Sequence, residues 1–168
     1  MAPRPLTHPV APLSPNVRLP LQDGLSPPLD SHPFLVSMDP IELRACTLTF
    51  IDEDIVHAHF KDGLLAGPDA IDEMFDAIRA VRNGRKALFL FTAGPGASLT
   101  NEARAHASSD AGSEILAADA IVVRDFGHQM SANAFVRHNK PKRPIQLFPD
   151  TDSAVAWLQQ HRNLIDNA

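Results

Sequence analysis

The stretch Lys86-Ala87-Leu88-Phe89-Leu90-Phe91-Thr92 decides the architecture. A continuous apolar run lies between a lysine and a threonine. Its length and flanks suit a strand with no polar side. Such a strand must be covered on both faces, which is the position of an inner strand in a parallel sheet.

Working upstream, Ile71, Met74, Phe75, Ile78 and Val81 recur at helical spacing and form one wide apolar stripe. Pro68 suits the first helical position, Asp69 and Asp72 suit the positive N-terminal end, and Arg79, Arg82 and Gly84 suit the other end. Before Lys61-Asp62-Gly63, two strands are predicted, Leu43 to Ile51 and Asp54 to Phe60. The break between them is short, which favours an antiparallel hairpin. In the second strand Val56, Ala58 and Phe60 share one face, and Ile55, His57 and His59 share the other.

Working downstream, Thr100 is a natural cap for a helix over Asn101 to His106. Ala120 to Val123 reads as a short buried strand. A helix over Phe126 to His138 follows, with Met130, Ala134 and Phe135 inward, and Pro141 ends it. Ile145 to Phe148 is the last strand. Asp150 or Thr151 caps a final helix that buries Val155, Trp157 or Leu158, then Leu164 or Ile165. The order is ββαβαβαβα. It implies an α/β fold with a mixed, mainly parallel five-stranded sheet and about four helices.

The rest of the chain differs in texture. Ten of the 15 prolines fall in the first 40 residues. Residues 1–38 are expected to form a proline-rich, disordered tail, and residues 39–168 the α/β domain. Pro9-Val10-Ala11-Pro12 fits a PxxP pattern that so proline-rich a stretch contains by chance. Met38 offers a second start of translation, which the intact mass of the native protein would decide. The formal charge of -5 argues against a general nucleic-acid binder and against attachment to anionic lipid by charge alone. No apolar run approaches the roughly 20 residues of a membrane span. Cys46 is the single cysteine and lies mid-strand, so a core role in a reducing, cytoplasmic protein is expected.

Catalytic patterns are missing: no Ser-His-Asp or Cys-His arrangement is suggested. Asp52, Glu53 and Asp54 cluster in a hairpin turn, where exposure is expected and no enclosing environment shifts a pKa. Gly94 and Gly96 lie between a buried strand and a helix start, where backbone amides can bind an anion or simply make a tight turn. Ser98 and Thr100 suit either a phosphorylation switch or a helix cap. His57 and His59 point the same way and would hold a metal given a third ligand; a solvent-facing strand is the commoner reason for such a pair. No metal or cofactor is assigned. Arg137, Lys140, Lys142 and Arg143 form the one dense basic run, suited to an acidic partner or to solvating a helix end.

The stretch from Asn133 to Phe148, with its Asn139-Lys140-Pro141, resembles the helix-to-strand segment of a bacterial SpoIIAA-like family of STAS/SEC14 type. The acidic helix start and tryptophan over Asp150 to Trp157, and Asn101-Glu102-Ala103-Arg104, resemble other parts of that family. The resemblance covers about Thr47 to Gln160. It implies a STAS-like fold and a non-enzymatic regulatory or scaffold module that binds proteins, often as a homodimer. In anti-sigma-factor antagonists of this fold, a serine at the second helix is phosphorylated; Ser98 and Thr100 are the corresponding positions. Their Asp-Ser-Ser-Gly signature is replaced here by Ala93-Gly94-Pro95-Gly96-Ala97-Ser98. The alternative is a protein that binds a small ligand, a nucleotide or a lipid. It would use the Gly94 to Thr100 loop or a groove beside the Phe126 to His138 helix.

Overall fold

The run at Ala87 is an inner strand of a six-stranded sheet in the computed structural model, which describes residues 38–166. The tail, with its expected disorder and its PxxP pattern, lies outside the described residues. In chain order the elements are β1 (Ile41–Glu42), β2 (Cys46–Phe50), β3 (Ile55–Phe60), β4 (Leu65–Ala66) and α1 (Pro68–Val81). Then come β5 (Ala87–Ala93), β6 (Ser98–Leu99), α2 (Asn101–Ala107), α3 (Asp110–Ile115) and β7 (Leu116–Val122). The chain closes with α4 (Phe126–Asn139), β8 (Ile145–Phe148), α5 (Thr151–Gln159) and α6 (Asn163–Asp166).

The sheet order is β1-β2-β3-β5-β7-β8. β1, β2 and β3 pair antiparallel; β3, β5, β7 and β8 pair parallel. A separate two-stranded ladder joins β4 to β6. The fold is therefore α/β with a mixed, mostly parallel sheet, and has more elements than the five strands and four helices expected. One reason is local. The Leu43 N–H donates to the Cys46 carbonyl at 2.9 Å, so the strand expected over Leu43 to Ile51 begins only at Cys46, and the extra β1 before it turns back to place Ile41 opposite Leu48. β7 starts four residues before the expected Ala120. Ala87 pairs with Leu116 but Leu88 with Ala118, so Ala117 bulges out.

The two faces of the sheet are covered by different helices. Val56, Ala58, Phe60 and Phe89 pack against Ile71, Met74, Phe75 and Ile78 of α1 and Ala103 of α2. This is the stripe the sequence predicts. Ile55, Leu88, Leu90, Ala118 and Ala120 meet Ala154 and Leu158 of α5 and Ile165 of α6. Cys46 is fully buried, and burial pushes its thiol up to about 12, as a core residue requires. In α4 the expected inward side holds only for Phe135, which is half-buried and faces the sheet across the cavity; Met130 and Ala134 are exposed and Ala132 is the buried residue. The sequence FGHQMSANAF has no apolar stripe to bury.

The carboxylates of the hairpin turn are not all exposed either. Asp54 is buried and takes Arg82 at 2.8 Å and Arg162 at 2.8 Å. Asp52 accepts the backbone N–H groups of Asp54 and Ile55, both at 2.9 Å, and also pairs with Arg162. Arg82 donates further to the carbonyls of Glu53 and Lys86. The cluster ties the hairpin to the end of α1 and to the α5–α6 turn. Asp54→Ala leaves the buried Arg82 guanidinium without its carboxylate and is expected to cost about 3–5 kcal/mol in urea unfolding. A cost under about 1 kcal/mol would mean the pair behaves as a solvated surface pair.

Candidate functional site

α1 and α2 carry enough apolar surface to close on the sheet; α4 does not. Between the sheet, α2 and α4 lies a cavity of about 300 Å³. Its apolar wall comes from Phe60, Phe89 and Phe91 on the sheet and Met74 and Phe75 on α1. The Phe60 and Phe91 rings lie 5.1 Å apart, a favourable aromatic spacing. Leu99, Leu116 and Phe135 complete it.

The floor holds a buried ion pair. Arg143 meets Asp119 through two parallel bonds, Nε to Oδ1 at 2.8 Å and Nη2 to Oδ2 at 2.7 Å. Its remaining donors reach the Ala107 carbonyl at 2.9 Å and the Ser113 hydroxyl at 3.3 Å. Burial pushes the Asp119 carboxyl up from its ordinary value, and the guanidinium pulls it back. Gly112 sits where this network meets the α2–α3 junction. A Cβ there would fall 2.3 Å from the Ala107 carbonyl oxygen, so only glycine fits.

The rim is cationic. Arg104 of α2 reaches across to α4 and donates to the Ser131 hydroxyl at 3.1 Å. Arg124 stands at the end of β7. Among the described residues neither arginine has a carboxylate partner. Asp125 is engaged as the N-cap of α4, where its carboxylate accepts the His128 N–H at 2.8 Å. The His128 ring accepts the Arg124 N–H through Nδ1 at 3.3 Å, which leaves Nε2–H as its donor. Burial, then Arg124 and Arg104, lower the His128 pKa; Asp125 opposes them. These neighbours favour the neutral form of the His128 ring. Such a cavity can hold an apolar body and present guanidinium donors to a negative head.

The residues singled out from the sequence fall in several places. Arg143 is the floor of the cavity and is buried, not part of an exposed basic surface. Arg137, Lys140 and Lys142 are exposed; Lys142 pairs with Asp110 at 2.7 Å. Thr100 caps α2, accepting the Ala103 N–H at 3.1 Å, and Ser98 is exposed beside the cavity. In the Gly94–Gly96 loop the Gly94, Ala97, Ser98 and Thr100 amides all donate to carbonyls of the chain. The Asp62 carboxylate packs on Gly94, where a Cβ would meet it at 1.8 Å. An incoming anion would meet that charge first. His57 and His59 lie on the opposite face of the sheet.

The sequence reading missed Arg104, Asp119, Arg124 and His128 as site residues. One signal was present: Asp119 interrupts Leu116-Ala117-Ala118-Asp119-Ala120-Ile121, and a charge in so apolar a run requires a partner.

A model of the family described as Domain of unknown function (DUF7793) matches residues 49–162. No curated protein and no solved structure matches the chain.

In an NMR titration the His128 ring is expected to titrate below 6.5, its ordinary value, and Arg124→Gln should move it upward. The unfolded chain binds this proton more readily, so the contribution is present above 6.5 and is lost as pH falls through the folded midpoint. A His128 midpoint at or above 6.5 would contradict the cationic rim.

Proposed function

The chain belongs to the DUF7793 family, and we propose that it binds a small ligand with an apolar body and an anionic head in the cavity beneath α4. One observation carries this reading: an aromatic-walled space opens to a rim where, among the described residues, Arg104 and Arg124 have no carboxylate partner. A volume of about 300 Å³ lies at the small end of the range for ligand sites. Five phenylalanines line it, and its one buried carboxylate is held by Arg143. That balance favours a lipid-like or aryl acid over a nucleotide, whose base and ribose would need more polar partners. The STAS-like reading of the fold is supported by the order of the longer elements, with β2, β3, β5, β7 and β8 as the five principal strands.

A second reading, a regulatory or scaffold module that binds a protein as a homodimer, is favoured by α4. Its Phe126 and Met130 are 76% and 56% exposed and stand one helical turn apart. Arg137, Lys140 and Lys142 lie near the end of the same helix.

Decanoate and 2-naphthoate are expected to raise the melting temperature, and decanol and 2-naphthol to do so much less. Arg104→Gln should weaken carboxylate binding by about 1.5–3 kcal/mol, roughly 10- to 100-fold in Kd. An equal response to acid and alcohol, or none to either acid, removes the ligand reading. For the second reading, Phe126→Glu with Met130→Glu should convert a sedimenting dimer to monomer. A wild-type chain that sediments as a monomer defeats it.

A further inference from the structure

The face of the sheet opposite the cavity carries a convergence of ring nitrogens. α5 and α6 cover Ile55, Leu88 and Leu90 on that face. Further along the same strands the face is polar. His57 and His59 of β3 project there beside Thr49 and Thr47 of β2, their cross-strand partners, and Thr92 of β5, which pairs with His59. His57 is half-buried and His59 is exposed.

Both imidazoles aim at one atom. His57 Nε2 lies 2.7 Å from Thr92 Oγ1, and His59 Nδ1 lies 2.8 Å from the same oxygen. A hydroxyl has one proton, so it donates to one ring and accepts from the other. Two ring nitrogens within hydrogen-bond reach of one atom can share a metal ion once that hydroxyl turns aside. On the far side of His57, Nδ1 lies 3.3 Å from Thr49 Oγ1. If Nδ1 carries the proton and donates it to Thr49, Nε2 is left with a lone pair toward Thr92. That outer hydrogen bond is the device that orients histidine ligands in metal sites.

We infer that His57 Nε2 and His59 Nδ1 bind a divalent late first-row metal ion, copper(II) more tightly than zinc(II). Imidazole pairs suit these ions, and copper leads zinc in the general affinity order. Among the described residues no three His, Cys, Asp or Glu side chains gather in one place. Water therefore completes the coordination, with the Thr92 hydroxyl beside it. Binding displaces the Thr92 hydroxyl from between the rings, and the ring that donated to it shifts that proton to its outer nitrogen, so the two neutral rings bind with no net loss of protons. This site is separate from the cavity, and its outcome is independent of the ligand reading.

The test titrates the metal-free full chain with copper(II) and reads nitrogen superhyperfine splitting by electron paramagnetic resonance. One equivalent bound with two equivalent-type ring nitrogens is expected. His57→Gln and His59→Gln should each abolish that two-nitrogen spectrum. Thr49→Val should weaken binding by about 10-fold or more through loss of the orienting bond. His59 is exposed, so His59→Gln keeps the fold, and circular dichroism confirms this for each variant. A two-nitrogen spectrum that survives either histidine substitution overturns the assignment, as does a wild-type spectrum with a single nitrogen.

Discussion

Asp119 lies in the middle of β7 with alanines on both sides, and an ionised carboxylate there needs a cation that arrives with its own hydrogen bonds. Arg143 meets that need from the turn before β8. Its bidentate grip on Asp119 is completed by the Ala107 carbonyl at the end of α2 and the Ser113 hydroxyl in α3. One guanidinium thus joins a strand, two helices and the approach to the edge strand. Gly112 belongs to the same arrangement, since any side chain there would strike the Ala107 carbonyl. The junction of α2 and α3 is held at a set height above the sheet. The ion pair forms the floor of the cavity that α4 spans.

Charge also fixes the other end of the strands. Asp54 stands at the start of β3 with Arg82 and Arg162 upon it, so the N-terminal edge of the parallel strands is closed by ion pairs. Their C-terminal ends carry the groups left for other work: Arg124, Asp125 and His128 beyond β7, and Thr92 near the end of β5. In open α/β sheets ligands meet the protein at the carboxyl ends of the strands. The cavity beneath α4 and the His57–His59 pair both lie toward that end, one on each face.

What the sequence revealed and what it concealed divide along physical lines. The helix over Pro68 to Val81 was legible because its stripe is periodic, and the run at Ala87 because it has no polar side. Thr100 and Asp150 were legible as caps because capping is local chemistry. The cavity was not legible, since it depends on what α4 lacks. A helix was read there, and its inward side was assigned from Met130 and Ala134, but no stripe existed to be read. Asp54 and Arg143 misled for one reason. Both are charged residues near turns, where solvent is the usual partner. Their actual partners lie 28 and 24 residues away in sequence, beyond any local pattern. The resemblance to SpoIIAA-like proteins pointed toward Ser98 and Thr100, whereas the cationic rim is built from Arg104 and Arg124.

α4 shows how composition and site are connected. An isolated helix of 14 residues is marginal in water, and most helices gain their stability by burying an apolar face. α4 buries Ala132 alone. It is held instead by the Asp125 cap at one end, a left-handed Lys140 at the other, and the Arg104–Ser131 hydrogen bond between. Such restraints fix direction more than they supply burial. On the ligand-binding reading, an apolar molecule in the cavity would give α4 the contact its own sequence withholds, so its retention and the order of the helix would rise together. A helix with a full stripe in this position would pack onto Phe89 and Phe91 directly, and there would be no cavity for a ligand to fill.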